Sequence, residues 1–299
     1  MTTRIFAILA CLLMASCSGT DNRREAKNIN DFVLPGLSEP GDSLQIFMPG
    51  VISCTGTHDA AITISPEGDE IFFSRGIWPD TRIFTLKWDG SAWQGPDTAD
   101  FSRRFLASEP AFSPDGHYVY FSSSLEKSDS SSYSICRVGR DGDGWSDPEQ
   151  LFDLGGDTIW EFHPAVTAGN RLYFCRWSKA GSSGDIYLSE LSEGKFSWPV
   201  KAEDHLNSEY SDVDPFIDAD GSFVIFTSNR PGGQGNYDQY ISFVNSSGGW
   251  DEPVNLGSAY NDEGDNIDID LSPGGKYLFV YRDGDIFWKL SEQFVNQNY

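Results

Sequence analysis

Seven residues at two recurring positions are the ones whose types and spacing could do chemistry. Glycines close a turn at Gly68, Gly116, Gly169, Gly221 and Gly275, stepping by 48, 53, 52 and 54 residues. Nine residues before the glycine stand Asp59, Ala107, Asp212 and Asn266, with Glu161 equivalent once a one-residue deletion in the third unit is allowed for. Seven residues before it stand Ala61, Glu109, Asp214 and Asp268, with His163 equivalent. Period-2 alternation along an extended strand would put both sets on one side. If that side faces a shared axis, Asp59, Glu109, Glu161, His163, Asp212, Asp214 and Asp268 form a convergent acidic site for Ca²⁺, a cationic ligand or a sugar. Asp59, Glu109 and Glu161 would then be the trio that a glycosidase needs, one acid protonating the leaving oxygen and another activating water or attacking. The alternative is structural: the same carboxylates capping turns or accepting backbone N–H groups between units.

Other signals are weaker. Asp141-Gly-Asp-Gly-Trp-Ser-Asp147 opens like a calcium loop but lacks the closing bidentate glutamate, and a hairpin turn explains it better. Asp185, Asp238 and Asp285 recur with the unit, as Arg230 does, which favours repeated structural bonds. The four histidines, His58, His117, His163 and His205, have no compact ligand spacing, although His58 and His163 could meet across a ring. Nucleophile-elbow, zincin-helix, phosphate-loop and dinucleotide fingerprints are all missing from the sequence.

The elements that must position these residues are set by the repeat. Trp93, Trp145, Trp198 and Trp250 lie 52, 53 and 52 residues apart, each with a proline one to three residues later. A period of about fifty residues made of strands and turns reads as blades. Each unit has a first strand before the glycine turn, an aromatic second strand such as Tyr118-Val-Tyr-Phe-Ser122 buried on both faces, a third strand, and a fourth beginning at the tryptophan. The fifth unit stops at Leu290 without a tryptophan-proline strand, whereas Ser43-Leu-Gln-Ile-Phe-Met48 stands ahead of the first unit at the spacing of a fourth strand. The expectation is an all-β propeller of five four-stranded blades whose N-terminal strand completes the last blade, with six blades as the fallback.

The N-terminus carries Arg4, an apolar run from Ile5 to Ala15, and Leu13-Met-Ala-Ser-Cys17, the pattern of a lipoprotein signal with Cys17 as the lipidated residue. The expected organisation is a signal over residues 1–16, the lipidated cysteine and a flexible tether over 17–41, the propeller over 42–290 and a tail over 291–299. Ser18 after the cysteine implies sorting to the outer membrane, facing the periplasm or the surface. Net charge is −24, and −25 once Arg4 is lost with the signal, so there is no electrostatic footprint for nucleic acid. Of five cysteines only Cys54, Cys136 and Cys175 would remain in the domain, which is no disulfide framework.

Phe226-Thr-Ser-Asn-Arg-Pro-Gly-Gly-Gln-Gly-Asn-Tyr-Asp-Gln-Tyr-Ile-Ser242, Trp250-Asp-Glu-Pro-Val-Asn-Leu-Gly257 and the Ser-Pro-Asp-Gly turns resemble the WD40-like PD40 repeat of TolB-like proteins and secreted bacterial lipoproteins. The resemblance covers about residues 43 to 290. It implies a propeller and an envelope location, but no single chemistry. A binding module for an envelope protein or glycan is expected in preference to an enzyme: monomeric, in contact with membrane only through its lipid, and without a cofactor other than a possible Ca²⁺. The runner-up readings are a carbohydrate-active enzyme and a calcium-stabilised structural propeller.

Overall fold

The computed structural model describes residues 31–125, 133–153, 159–178, 181, 183–202 and 204–291. Cys17 and the signal lie outside the described residues. The chain forms five antiparallel blades, five rather than the fallback six. The first comprises β2 (Asp59–Ile64), β3 (Glu70–Arg75), β4 (Arg82–Trp88) and β5 (Trp93–Thr98). The second has β6 (Leu106–Phe112), β7 (Tyr118–Ser124) and β8 (Ser134–Asp141), with the short β9 (Gly144–Trp145) and β10 (Glu149–Gln150) both pairing β8. The third has β11 (Ile159–Val166), β12 (Arg171–Ser178) and β13 (Gly184–Ser192), edged by β14 (Lys195–Phe196) and β15 (Val200–Lys201). The fourth runs β16 (Asp212–Ile217), β17 (Phe223–Ser228), β18 (Asp238–Phe243) and β19 (Val254–Asn255).

The last blade contains β20 (Ile269–Leu271), β21 (Tyr277–Arg282) and β22 (Asp285–Leu290), and its outer strand is β1 (Gln45–Ile46) from the other end of the chain. Phe47, fully buried, anchors this closure by packing edge-on against Phe279 and Trp288 at 5.1 and 5.0 Å between ring centroids. Outer strands are short where Pro148, Pro199 and Pro253 fall, because proline has no N–H for a ladder and is tolerated at a sheet edge.

The core is five separate layers, one between each pair of neighbouring blades. Second strands explain this, because their side chains alternate between the two layers that flank them. On β7, Val119 and Phe121 enter the layer shared with the first blade, while Tyr120 enters the layer shared with the third. Cys136 sits buried in the layer between the first and second blades, and Cys175 is buried on β12, both as free thiols. Among the described residues no helix is long and apolar enough to cross a membrane.

One boundary differs from expectation. The described part of the expected tether, residues 31–41, packs on the propeller: Phe32 and Leu34 are buried in the layer between the last and first blades. Trp93 Nε1 donates to the Pro35 carbonyl at 2.9 Å, and Lys276 Nζ donates to the Phe32 carbonyl at 2.9 Å. The packed domain therefore begins near Phe32, because an aromatic and a leucine inside a polar stretch found an open seam to fill.

Candidate functional site

The two sets of candidate residues do not share a side, and a bulge in the inner strands of the first four blades is the reason. Pairing between first and second strands slips between Ala60 and Ile62, Ser108 and Ala111, Phe162 and Ala165, and Val213 and Phe216. The slip always falls at the second position, seven residues before the turn glycine. There Ala61, Glu109, His163, Asp214 and Asp268 have φ of 45°, 56°, 51°, 50° and 54°. Left-handed backbone at a residue other than glycine costs on the order of 1–3 kcal/mol and persists only where its surroundings impose it. Here they do: Glu109 N–H donates to Ser74 Oγ at 2.8 Å and His163 N–H to Glu109 Oε2 at 2.9 Å, each from the neighbouring blade. The bulge ends strict alternation, which corrects the expectation that Asp59, Glu161 and Asp212 reach the same site as Glu109 and Asp214.

Asp59, Glu161 and Asp212 are fully buried and each holds an arginine at or near the C-terminal end of the second strand of its own blade. Asp59 accepts from Arg75 at 2.6 Å and from Thr57 at 2.6 Å. Glu161 accepts from Arg176 at 2.7 Å and from the Ile135 N–H at 3.2 Å. Asp212 accepts from Arg230 at 2.7 Å, from Ser228 Oγ at 2.6 Å, and from the N–H and hydroxyl of Ser208 at 2.6 and 2.7 Å. Each guanidinium also lies over two rings: Arg75 over Phe73 and Phe84, Arg176 over Phe174 and Tyr187, Arg230 over Phe226 and Tyr240. These are structural clamps. Asp238 likewise has a structural role, accepting the N–H groups of Gln234 and Gly235.

The second set converges on the axis. His163 Nε2 lies 3.1 Å from Asp268 Oδ1, 3.2 Å from Glu109 Oε1 and 3.4 Å from Asp214 Oδ1. Burial works against the imidazolium, but the Asp214, Glu109 and Asp268 carboxylates outweigh it and hold the His163 pKa well above its ordinary value. Glu109 is held below the usual range, burial being overcome by His163 and by hydrogen bonds including one from Ser122 Oγ at 2.8 Å. Burial raises Asp214 despite His163, and pushes Asp268 up to about 7, with Asp214 and Glu109 adding to the rise. His163, Asp214 and Asp268 each offer a ligand atom within 4.8 Å of the others. A mixed set of one nitrogen and two carboxylates does not suit Ca²⁺, which takes six to eight oxygens.

This cluster separates two mouths of the channel. On one side, Trp78, Trp160, Phe162 and Trp177 surround a cleft of about 340 Å³ floored by Glu109, His163 and Asp214. A neighbouring hollow adds His58, Ile77 and Tyr281 beside Asp268, so His58 borders this mouth while His163 is enclosed by carboxylates. Trp78 is 49% exposed and meets Trp160 edge-on at 5.8 Å. Its loop is pinched at Gly76, φ 130°, where a Cβ would come within 2.3 Å of the Asp80 carbonyl. Gly184 pairs with Trp177 across the ladder, and a Cβ there would lie 2.7 Å from the indole, so only glycine lets that ring lie flat against the backbone. On the other side, the glycine turns surround an apolar funnel.

Sequence reasoning missed the tryptophans of the first mouth. Their signal was that Trp78, Trp160 and Trp177 fall off the fifty-residue beat. The bulge had a signal too, since Glu109, His163 and Asp214 are each followed by proline, and proline inside an inner strand marks a break in the ladder.

No protein-family model and no curated protein matches the sequence. Solved structures share the architecture. A protein described as TolB from Agrobacterium tumefaciens superposes with a TM-score of 0.54 at 16% identity, over 77% of this chain and 72% of that one. A thermostable family-43 glycoside hydrolase gives 0.52 at 14% identity over 81% and 90% of the two chains. An α-L-arabinofuranosidase from Lactobacillus brevis gives 0.50 at 14% over 80% and 92%. The chain thus shares the β-propeller fold with these proteins and builds it from five blades.

Proposed function

We propose that this TolB-like propeller is a non-catalytic glycan-binding module of the bacterial envelope, with its ligand seated at the tryptophan mouth. One observation carries the reading: three indoles and a phenylalanine stand around a cleft whose floor is polar. Sugars present apolar C–H faces for rings to stack on and hydroxyls for carboxylates to accept from, so a site of this make-up supplies both area and orientation. The envelope location rests on the Arg4-to-Cys17 leader and on the resemblance to secreted lipoproteins.

Binding is favoured over hydrolysis by the fate of the carboxylates. A glycosidase needs two that flank the scissile bond and are free to trade protons with it. Asp59 and Glu161 are each bound to an arginine, and Glu109, Asp214 and Asp268 all face one imidazole. An envelope protein is the second reading, supported by exposed Trp198, Val200 and Val254 on the outer edges of the third and fourth blades.

Calorimetric titration of the full chain with neutral envelope and plant oligosaccharides tests the proposal. Binding that weakens at least tenfold in Trp78→Ala and Trp160→Ala, without product release over hours, is the expected result. Binding unaffected by either variant, or turnover of any bound sugar, overturns it.

A further inference from the structure

The funnel on the turn side of the channel is independent of the glycan reading, because the His163 cluster lies between the two mouths. Its rim is formed by Pro66, Pro114 and Pro273, and its walls include Ile62, Phe112 and Phe216, enclosing a cavity of about 220 Å³. That is room for a short hydrocarbon body. Its lining contains Asp270, which is half-buried, and Asp218 nearer the rim. The only cationic side chain among the described lining residues is His163, already within 3.4 Å of Glu109, Asp214 and Asp268. Among the described residues, no lysine or arginine lines it.

We propose that this funnel binds a small organic cation, an alkylammonium whose apolar stem lies against the walls and whose ammonium group pairs with Asp270. Charge complementarity selects this occupant. The walls favour a hydrocarbon, the floor has more carboxylates than cations, and the whole chain at net −24 concentrates cations at its surface. A neutral molecule of the same shape would gain the walls but bring no charge to Asp270, whose own hydrogen bond is from the Ile62 N–H, and an anion would be repelled.

Protonation of Asp270 gives the proposal a signature. Burial raises its pKa to about 7; His163 and the Ile62 N–H work against the rise, while Asp214 and Glu109 add to it and Asp268 sits two residues away on its own strand. An alkylammonium, with a pKa like that of lysine, near 10.4, stays charged throughout the range in which Asp270 titrates. Cation binding therefore requires the deprotonated carboxyl, and affinity must climb with pH until Asp270 is ionised.

The experiment is calorimetric titration of the full chain with n-pentylamine hydrochloride and with n-pentanol at pH 5.5, 7.0 and 8.5. Pentylammonium affinity is expected to rise about tenfold per pH unit below 7 and level off above it, with pentanol at least tenfold weaker at pH 8.5 and flat. Asp270→Asn should remove the pH dependence and weaken the amine about tenfold at pH 8.5, leaving oligosaccharide binding at the tryptophan mouth unchanged. Equal binding of amine and alcohol, no binding of either at millimolar concentration, or amine binding that is flat with pH and survives Asp270→Asn would each overturn the proposal. The wild-type comparison of amine with alcohol decides it even if the variant fails to fold.

Discussion

Asp212 and Asp214 are two residues apart on one inner strand, yet the first holds Arg230 inside its own blade and the second faces His163 on the axis. Glu161 and His163 divide in the same way. The difference between the two sets is not side-chain chemistry, since both contain carboxylates. It is which side of a one-residue bulge the carboxylate occupies. On one side a charge is matched locally by an arginine, aromatic rings and hydroxyls, so it stabilises a single blade. On the other, carboxylates from three blades share the imidazole of a fourth, so the charge belongs to the ring as a whole. Acidity in the inner strands of a propeller is therefore no index of function until its position relative to the bulge is known.

The largest effect that would test this contrast is Asp212→Ala, which strands Arg230 without its buried partner. Breaking such a pair from one side costs about 3–5 kcal/mol, read as a drop in the urea midpoint or failure to accumulate as folded protein. His163→Ala should cost about 3 kcal/mol at pH 6, for the same reason applied to three carboxylates. Loss in the first variant with none in the second would mean that the axial cluster contributes nothing to ring closure.

The wild-type pH profile comes next. His163, Asp268 and Asp270 all have folded pKa values above their ordinary ones. Each contributes stability that is fully present below the ordinary value and lost as pH rises through the raised one. Glu109, shifted down, gives stability above its ordinary value that is lost in acid. Melting temperature should accordingly peak at about pH 4 to 4.5, between the acid loss at Glu109 and the loss at Asp268 and Asp270, and decline above it as pH rises through about 7; a profile flat to pH 9 would contradict the burial of these groups. Asp270→Asn should flatten part of that decline, raising the melting temperature by about 2–4 °C per kcal/mol recovered at pH 8 and leaving it unchanged at pH 4. Smallest of all, Trp78→Ala should alter stability by no more than about 0.5 kcal/mol, as expected for an exposed side chain, while removing glycan affinity.

The fold was legible because its signals repeat. Second strands such as Tyr118–Ser122 are aromatic or aliphatic at every position that meets a flanking layer, and the absence of a closing strand after Leu290 pointed to Ser43–Met48, where Phe47 indeed fills the last seam. The site was legible in part. Glu109, His163, Asp214 and Asp268 were found by counting back from glycines, and they do meet. Asp59, Glu161 and Asp212 were found by the same count and do not, because a bulge obeys backbone geometry and Ala61 occupies it as readily as an acid. The packed segment around Phe32 and Leu34 was missed because two apolar residues without periodicity carry no strand or helix signal.

The closure of the ring by β1 has a consequence in time. Gln45 and Ile46 emerge from the ribosome long before Phe287 and Trp288, their partners across the ladder. Through nearly all of synthesis Phe47 and the seam-filling Phe32 and Leu34 therefore have no completed layer to enter, and four blades must wait beside an unsealed gap. Such a nascent chain is a prolonged client for holding factors during translation, and its ring is sealed only when a strand made early meets one made late.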